Sequence, residues 1–313
     1  MKNRINQDFI YTEEWNDVRC VRLDSNSLYI HAHDPEDRSL YCASQLCKDN
    51  TDTLFVEVSY TDDDIMNVSD SGEKFALNSA KAIAAFYEHY GRDIVYIEVT
   101  GMSCRIATPL MNSAIASGKT VYVVYTEPAA YDINQFRKVG LNKDLSETVE
   151  GISPLPGLIS LIPDDSPKLF VALLGFEGGR FSSIVQDYNP VKEKIMPVVG
   201  VPGYLMHYPY VSFWGNQITI SKTKCWQNVK YAEANSIVDA YMLLKQISYD
   251  NRGQEMVVAP IGTKPHAIGA ILYALKNPKT VELIYDNPKR SVHRTHGIGK
   301  VHVCNVSKLF NEN

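Results

Sequence analysis

The sequence predicts an α/β protein built from two tandem Rossmann-like parallel-sheet halves related by a pseudo-two-fold duplication. Three observations lead there. Short, almost continuously apolar runs alternate with longer amphipathic segments, as expected where helices cover both faces of a parallel sheet. The rhythm breaks in a Pro/Gly/Asp-rich middle, GISPLPGLISLIPDDSP (151–167), and then restarts. A strand–turn–helix–strand block of the first half also matches one in the second at several positions.

Residues 1–50 read as a β-rich lead-in, with SLYIHAHD (27–34) alternating and DPED forming a turn. TLFVEVSY (53–60) reads as a buried strand. SDSGEKFALNSAKAIAAFYEHYG (69–91) reads as a helix with Ser/Asp start signals and a stop at Gly91. DIVYIEVTG (93–101) and TVYVVYTEP (120–128) read as strands on either side of the segment MSCRIATPLMNSAIASG. In the second half, KLFVALLGF (168–176) is a strand and EGGRFSSIVQDY opens a helix. KIMPVVGVPGY (194–204) is the next strand, and the aromatic stretch MHYPYVSFWGNQ that follows is expected to be irregular. A long helix is expected over 228–247 and a strand over EMVVAPIG (255–262). TKPHAIGAILYALKNP is helical after its proline, and TVELIYDNP (280–288) reads as the last buried strand.

The matching blocks fix the division into halves, 1–150 and 151–313. Gly101 corresponds to Gly262, Ala114 to Ala274, Lys119-Thr120-Val121 to Lys279-Thr280-Val281, and Tyr125-x-x-Pro128 to Tyr285-x-x-Pro288. The offset is 160 throughout except at the first glycine, where it is 161. Identities falling in one order within one frame indicate duplication.

Bulk properties narrow the function classes. The chain has 313 residues, 45% apolar and 21% charged, with a net charge of −5, ordinary values for a globular protein. The acidic balance argues against bulk nucleic-acid binding, which requires many phosphates to be neutralised. No run is long enough to span a membrane, so no membrane partner is expected. The opening MKNRINQDFIYTEEW lacks the apolar core of a signal peptide, which reads as cytoplasmic. Six scattered cysteines without a C-x-x-C pair give neither a disulfide framework nor a zinc ribbon.

Ligands of open parallel sheets bind beyond the carboxyl ends of the strands, where helix N-termini present unpaired N–H groups to anions. The loop GTKPHAIGA is the most suggestive: Gly262 permits close backbone approach, Thr263 offers a hydroxyl, Lys264 an ammonium, and His266 follows within a turn. Its counterpart VTGMSCRIATP offers Thr100, Gly101, Ser103 and Arg105, and FEGGR offers Gly178, Gly179 and Arg180. None is a Walker A loop, and no full G-x-G-x-x-G follows a strand. His31 and His33 with Asp34, and the run Asp62-Asp63-Asp64, read more simply as strand and turn residues than as metal ligands, so no metal site is expected. Arg290, His293, Arg294 and His296 form the only basic cluster, either a phosphate embrace or a solvated hairpin. No Ser/His/Asp triad or activated cysteine can be assembled.

Strands ending in a T-G or G-T-K turn that opens a helix, as in IEVTGMSCRIATPL and VAPIGTKPHAIGAILYAL, resemble the CARF and SAVED domains of prokaryotic antiviral defence. The resemblance covers the two βαβ cores. It implies a Rossmann-like sensor of cyclic oligonucleotides, with Thr100, Gly101, Ser103 and Arg105 in one half and Gly262, Thr263, Lys264 and His266 in the other lining the ligand site. Such sensors usually carry an attached effector domain, and none is visible here: either the effector is a separate chain, or the ligand is also processed here, or the resemblance is to Rossmann folds generally. The leading expectation is therefore a nucleotide-sensing or regulatory protein holding a small phosphate-bearing ligand between its halves. Two alternatives stay open. One is a hydrolase or transferase acting on nucleotides or nucleotide-sugars through Asp62, Asp64 or Glu127. The other is a non-catalytic scaffold using MHYPYVSFW as its contact surface.

Overall fold

The structure, a computed structural model, describes residues 11–34, 36, 38–61, 64–131, 146–149, 151–158, 162, 167–290 and 294–311. They fall into two compact units. The first holds the described residues of 1–131, 155–157 and 295–313, the second those of 132–154 and 158–294.

The first unit contains β1 (Thr12–Trp15), β2 (Leu28–His31), α1 (Tyr41–Asp49), β3 (Leu54–Thr61), β4 (Ile65–Val68), β5 (Lys74–Ala76), α2 (Ala80–Tyr90), β6 (Ile94–Glu98), α3 (Cys104–Ala116), β7 (Thr120–Tyr131), and from the chain's C-terminal part β15 (Thr295–Asn305). These strands form one mixed sheet in the order β1-β15-β7-β6-β2-β3-β4-β5. Strands β7, β6, β2 and β3 are mutually parallel, whereas β1, β15, β4 and β5 pair antiparallel with their neighbours. Tyr29, Tyr96 and Val124 pack with Cys42, Ala43 and Leu46 of α1 on one face. Helices α2 and α3 bury Ile83, Phe86, Leu110 and Met111, and the Tyr87 hydroxyl donates to the Leu110 carbonyl at 2.9 Å.

The second unit contains β8 (Ser146–Val149), β9 (Leu169–Leu173), α4 (Gly178–Tyr188), β10 (Ile195–Gly200), α5 (Tyr208–Thr223), β11 (Lys230–Ala232), α6 (Ile237–Asp250), β12 (Met256–Pro260), α7 (Lys264–Lys276), β13 (Val281–Leu283) and β14 (Pro288–Arg290). Its main sheet is wholly parallel in the order β11-β10-β9-β12-β13. In chain sequence that is 3-2-1-4-5, the doubly wound order. Strands β9 and β12 are buried at every position, which is why they read as continuous apolar runs. Phe170, Val257 and Ala259 pack with Phe181 and Ile184 of α4 and Ile220 of α5. Elsewhere α6 and α7 meet through Tyr241 and Tyr273, edge to face at 5.4 Å.

Each unit contains its own four-stranded parallel core, with the same strand order in both. In the first, β3-β2-β6-β7 follow one another across the sheet; in the second, β10-β9-β12-β13 do the same. The matched sequence blocks fall on β6-α3-β7 and β12-α7-β13. The helices α3 and α7 start at residues 160 apart, with Ser103 and Thr263 as N-caps. Gly101 lies two residues before its cap and Gly262 one, which accounts for the single departure in offset.

Several expectations are corrected. Residues 65–76 form the β4–β5 hairpin, turning at Gly72 (φ +70°), so the helix expected over 69–91 is confined to Ala80–Tyr90. The hairpin extends the sheet edge beyond β3, a tertiary demand that no local helix signal reveals. The β-rich lead-in contains a helix, α1, and its β2 sits in the middle of the sheet. The aromatic stretch after β10 is a regular helix, α5. The helix expected over 228–247 is a short strand, β11, and then α6, opened by the Ser236 cap. The last strand is β15, which pairs with β7 and so places residues 295–305 in the first unit rather than in the second half.

Candidate ligand site

In the second unit the strand order reverses between β9 and β12. The chain leaves β9 through α4 toward β10 and leaves β12 through α7 toward β13, so the two turns lie side by side. They touch at backbone distance. A Cβ added at Gly262 would come within 2.7 Å of the Leu174 carbonyl oxygen, and one at Gly175 within 2.9 Å of the Ile261 oxygen. Both glycines are therefore required by the chain's own packing. Gly178 and Gly215 likewise let α4 and α5 meet, since a Cβ on Gly178 would collide with the Gly215 carbonyl. Ser212 and Asn216 of α5 both donate to the Gly175 carbonyl, at 2.9 and 2.8 Å, and fix the β9–α4 turn from beneath.

Arg180 is buried at this junction. Its guanidinium donates to Asp286 at 2.6 and 2.7 Å, to Glu177 at 3.1 Å and to the Ile261 carbonyl at 3.2 Å. Burial opposes its charge, but the Asp286 and Glu177 carboxylates outweigh burial and hold the guanidinium ionised. The other Glu177 oxygen accepts from the Ser146 amide at 2.7 Å, tying β8 to the start of α4. Gly178 and Gly179, in the first turn of α4, remain partly or fully exposed, and no side chain caps that helix.

At the start of α7, Thr263 accepts from the His266 amide and donates to the Ala234 carbonyl at 2.6 Å. His266 is fully buried, and its Nε2 lies 2.9 Å from the Glu233 carbonyl. That pairing requires Nε2 to carry the proton, and burial pushes the ring pKa below its usual value. His266 thus braces the turn from inside, while Gly262, Thr263 and Lys264 keep partial exposure.

The first unit repeats the arrangement. A Cβ on Gly101 would collide with the Ala32 carbonyl at the end of β2, Ser103 caps α3, and Thr100 accepts from the Thr126 amide at 3.0 Å. Arg105 is paired bidentately with Asp64 at 2.8 and 2.9 Å, and the Tyr60 hydroxyl donates to the same carboxylate at 3.1 Å.

Two buried polar groups at the same edge carry no local sequence signal. Arg38, just after β2, donates to Glu36 and to the Thr126 carbonyl, each at 2.7 Å, and Glu36 also accepts from Thr295 at 2.8 Å. Thr126 lies within β7, the fourth strand of its core, whereas Asp286 follows β13, the fourth strand of the other. Each unit therefore holds a buried arginine against a nearby glutamate, in one case with a partner inside the fourth strand and in the other with one just past it. The second group is Glu98, at the carboxyl end of β6. Burial pushes its carboxyl up to about 8, against hydrogen bonds from Tyr29 and Thr100 and the Ala43 amide that favour ionisation. Tyr29 donates to it at 3.0 Å. Cys42 lies 3.1 Å from the Thr126 hydroxyl, its thiol pushed up by burial and by Glu98.

The weaker candidates are scattered. Among the described residues no group of three His, Cys, Asp or Glu could hold a metal; Asp62, Asp63 and His293 lie outside those residues. Glu127 is paired with His302 at 2.7 Å across β7 and β15. Arg290 lies in β14 and His296 in β15, in different units. Among the described residues no helix is long and apolar enough to cross a membrane.

No family model matches the chain, and no curated protein matches it in sequence. Among solved structures, CobK precorrin-6A reductase is similar over 87% of this chain and 93% of its own, at 10% identity and a TM-score of 0.23. A functionally unknown protein from Pseudomonas aeruginosa PAO1 is similar over 83% of this chain and 82% of its own, at 9% identity and a TM-score of 0.25. Likeness this low carries no argument; the Rossmann-like α/β assignment rests on strand order and helix placement.

Proposed function

We propose that this protein is a nucleotide sensor. It binds a phosphate-bearing nucleotide, a cyclic oligonucleotide in the manner of CARF and SAVED domains, and signals to a separate effector in prokaryotic antiviral defence. The observation that carries this reading is the junction of β9 and β12. There the first turns of α4 and α7 start side by side at the carboxyl ends of neighbouring parallel strands, where doubly wound sheets receive phosphates. Gly178 and Gly179, partly and fully exposed, open α4 with no side-chain cap, and Thr263 and Lys264, both partly exposed, open α7. Binding without turnover is favoured because, among the described residues, the carboxylates named for an enzyme are engaged, Asp64 by Arg105 and Glu127 by His302.

The test is a thermal-shift screen of the full chain against nucleoside mono-, di- and triphosphates and cyclic oligonucleotides, with mass spectrometry of the recovered ligand. A stabilising ligand recovered unchanged is the expected result. Recovery of a hydrolysed or transferred product would replace the sensor with an enzyme.

A further inference from the structure

Helix α5 is built inside out. Its fully buried positions are Ser212, Asn216, Thr219 and Thr223 with Tyr208 and Ile220, and Phe213 packs partly buried against the core. Its outer face carries Tyr210, Trp214 and Ile218 at successive four-residue steps, 76%, 56% and 62% exposed, and Met206, one step earlier, is 95% exposed. Soluble helices show the reverse polarity, and a contiguous exposed apolar row marks a surface that meets something apolar. Small polar residues within and large apolar ones without is the pattern of a helix whose outer medium is lipid. The row ends on the exposed Lys222, followed by exposed Lys224, Trp226 and Lys230.

Charge identifies the occupant. From Lys194 to Ala232 the sequence has four lysines and no Asp or Glu, in a chain whose net charge is −5. A second copy fits poorly, because pairing this face with itself brings together two lysine-bearing segments with no carboxylate to offset them. A nucleic-acid strand fits poorly, because Met206 and Ile218 offer no ring for a base to stack on. An anionic bilayer surface supplies both missing complements: negative headgroups for the lysines and an apolar boundary for Met206, Trp214 and Ile218, with Trp and Tyr at headgroup level.

We propose that the outer face of α5, from Tyr210 to Lys222, together with Met206 just before the helix, docks the protein peripherally on anionic lipid membranes. The helix lies flat in the interface, its polar face held by the β9–α4 turn. This differs from a membrane span and from the nucleotide site, and either can fail without the other.

Flotation of the full chain with vesicles tests it. Wild type is expected to float with phosphatidylcholine–phosphatidylglycerol vesicles, to float far less with phosphatidylcholine alone, and to be released by salt. Replacing Tyr210, Trp214 and Ile218 together with serine should weaken binding about tenfold or more while leaving the melting curve in place, since all three are exposed. As an independent variant, Lys222→Glu with Lys224→Glu should abolish the preference for the anionic vesicles. Three results would overturn the proposal: no binding of wild type to the anionic vesicles, a dimer in light scattering that the serine variant dissociates, or capture of oligo-dT that the serine variant loses.

Discussion

Arg180 shows what a single residue does at the strand-order reversal. Its sequence context, two glycines and an arginine after a strand, marked the loop. The structure adds that the guanidinium is already satisfied by Asp286 and Glu177. Removing it strands two buried carboxylates, so Arg180→Met should lower unfolding free energy by about 3–5 kcal/mol in urea titration. Adding Asp286→Leu and Glu177→Gln to Arg180→Met should recover much of that loss, because both stranded charges are then removed. A single variant as stable as wild type would show that the network is not structural. Glu98 gives a pH signature. Its carboxyl is raised from an ordinary 4.5 to about 8 in the fold, so between those values the folded chain holds a proton that the unfolded chain has released. The stability this group contributes is complete below about pH 4.5 and is lost as pH rises toward 8. Glu98→Gln should flatten the fall in melting temperature across that window; an unchanged slope would mean that Glu98 is ionised in the fold. Neither Glu98 nor Arg38 was legible in the sequence, because each gains its meaning from partners on distant strands.

At the scale of elements, legibility followed burial pattern. Strands β9 and β12 were readable because both faces are covered and the runs are uniformly apolar. Helix α5 was not, because Tyr210, Trp214 and Ile218 are exposed while Ser212, Asn216, Thr219 and Thr223 are buried, leaving only Tyr208, Phe213 and Ile220 as an interrupted apolar contact with the core. The turn glycines were located correctly, but a sequence cannot distinguish a glycine that admits a ligand from one that admits its own backbone. For Gly262 the second is established by the Leu173 and Leu174 carbonyls. Gly262→Val should therefore destabilise the second unit by about 1–3 kcal/mol without any ligand, as overpacking does. A variant with wild-type stability would show that the two turns separate easily.

For the whole molecule, the internal repeat was the most informative sequence feature. It placed β6-α3-β7 and β12-α7-β13 in one frame, and the shared strand order extends that correspondence to four strands in each unit. The return of β15 to the first sheet was not legible, since pairing across more than 160 residues leaves no local trace. The proposed seat of the phosphate-bearing nucleotide is the junction of β9 and β12. Isothermal titration of wild type and Lys264→Ala with the nucleotides and cyclic oligonucleotides tests it most directly. Saturable binding to wild type is expected, with about tenfold weaker binding to a Lys264→Ala variant of near-wild-type stability, since Lys264 is partly exposed at the first position of α7. Equal affinity of the two proteins, or no heat with any phosphate ligand, would contradict it.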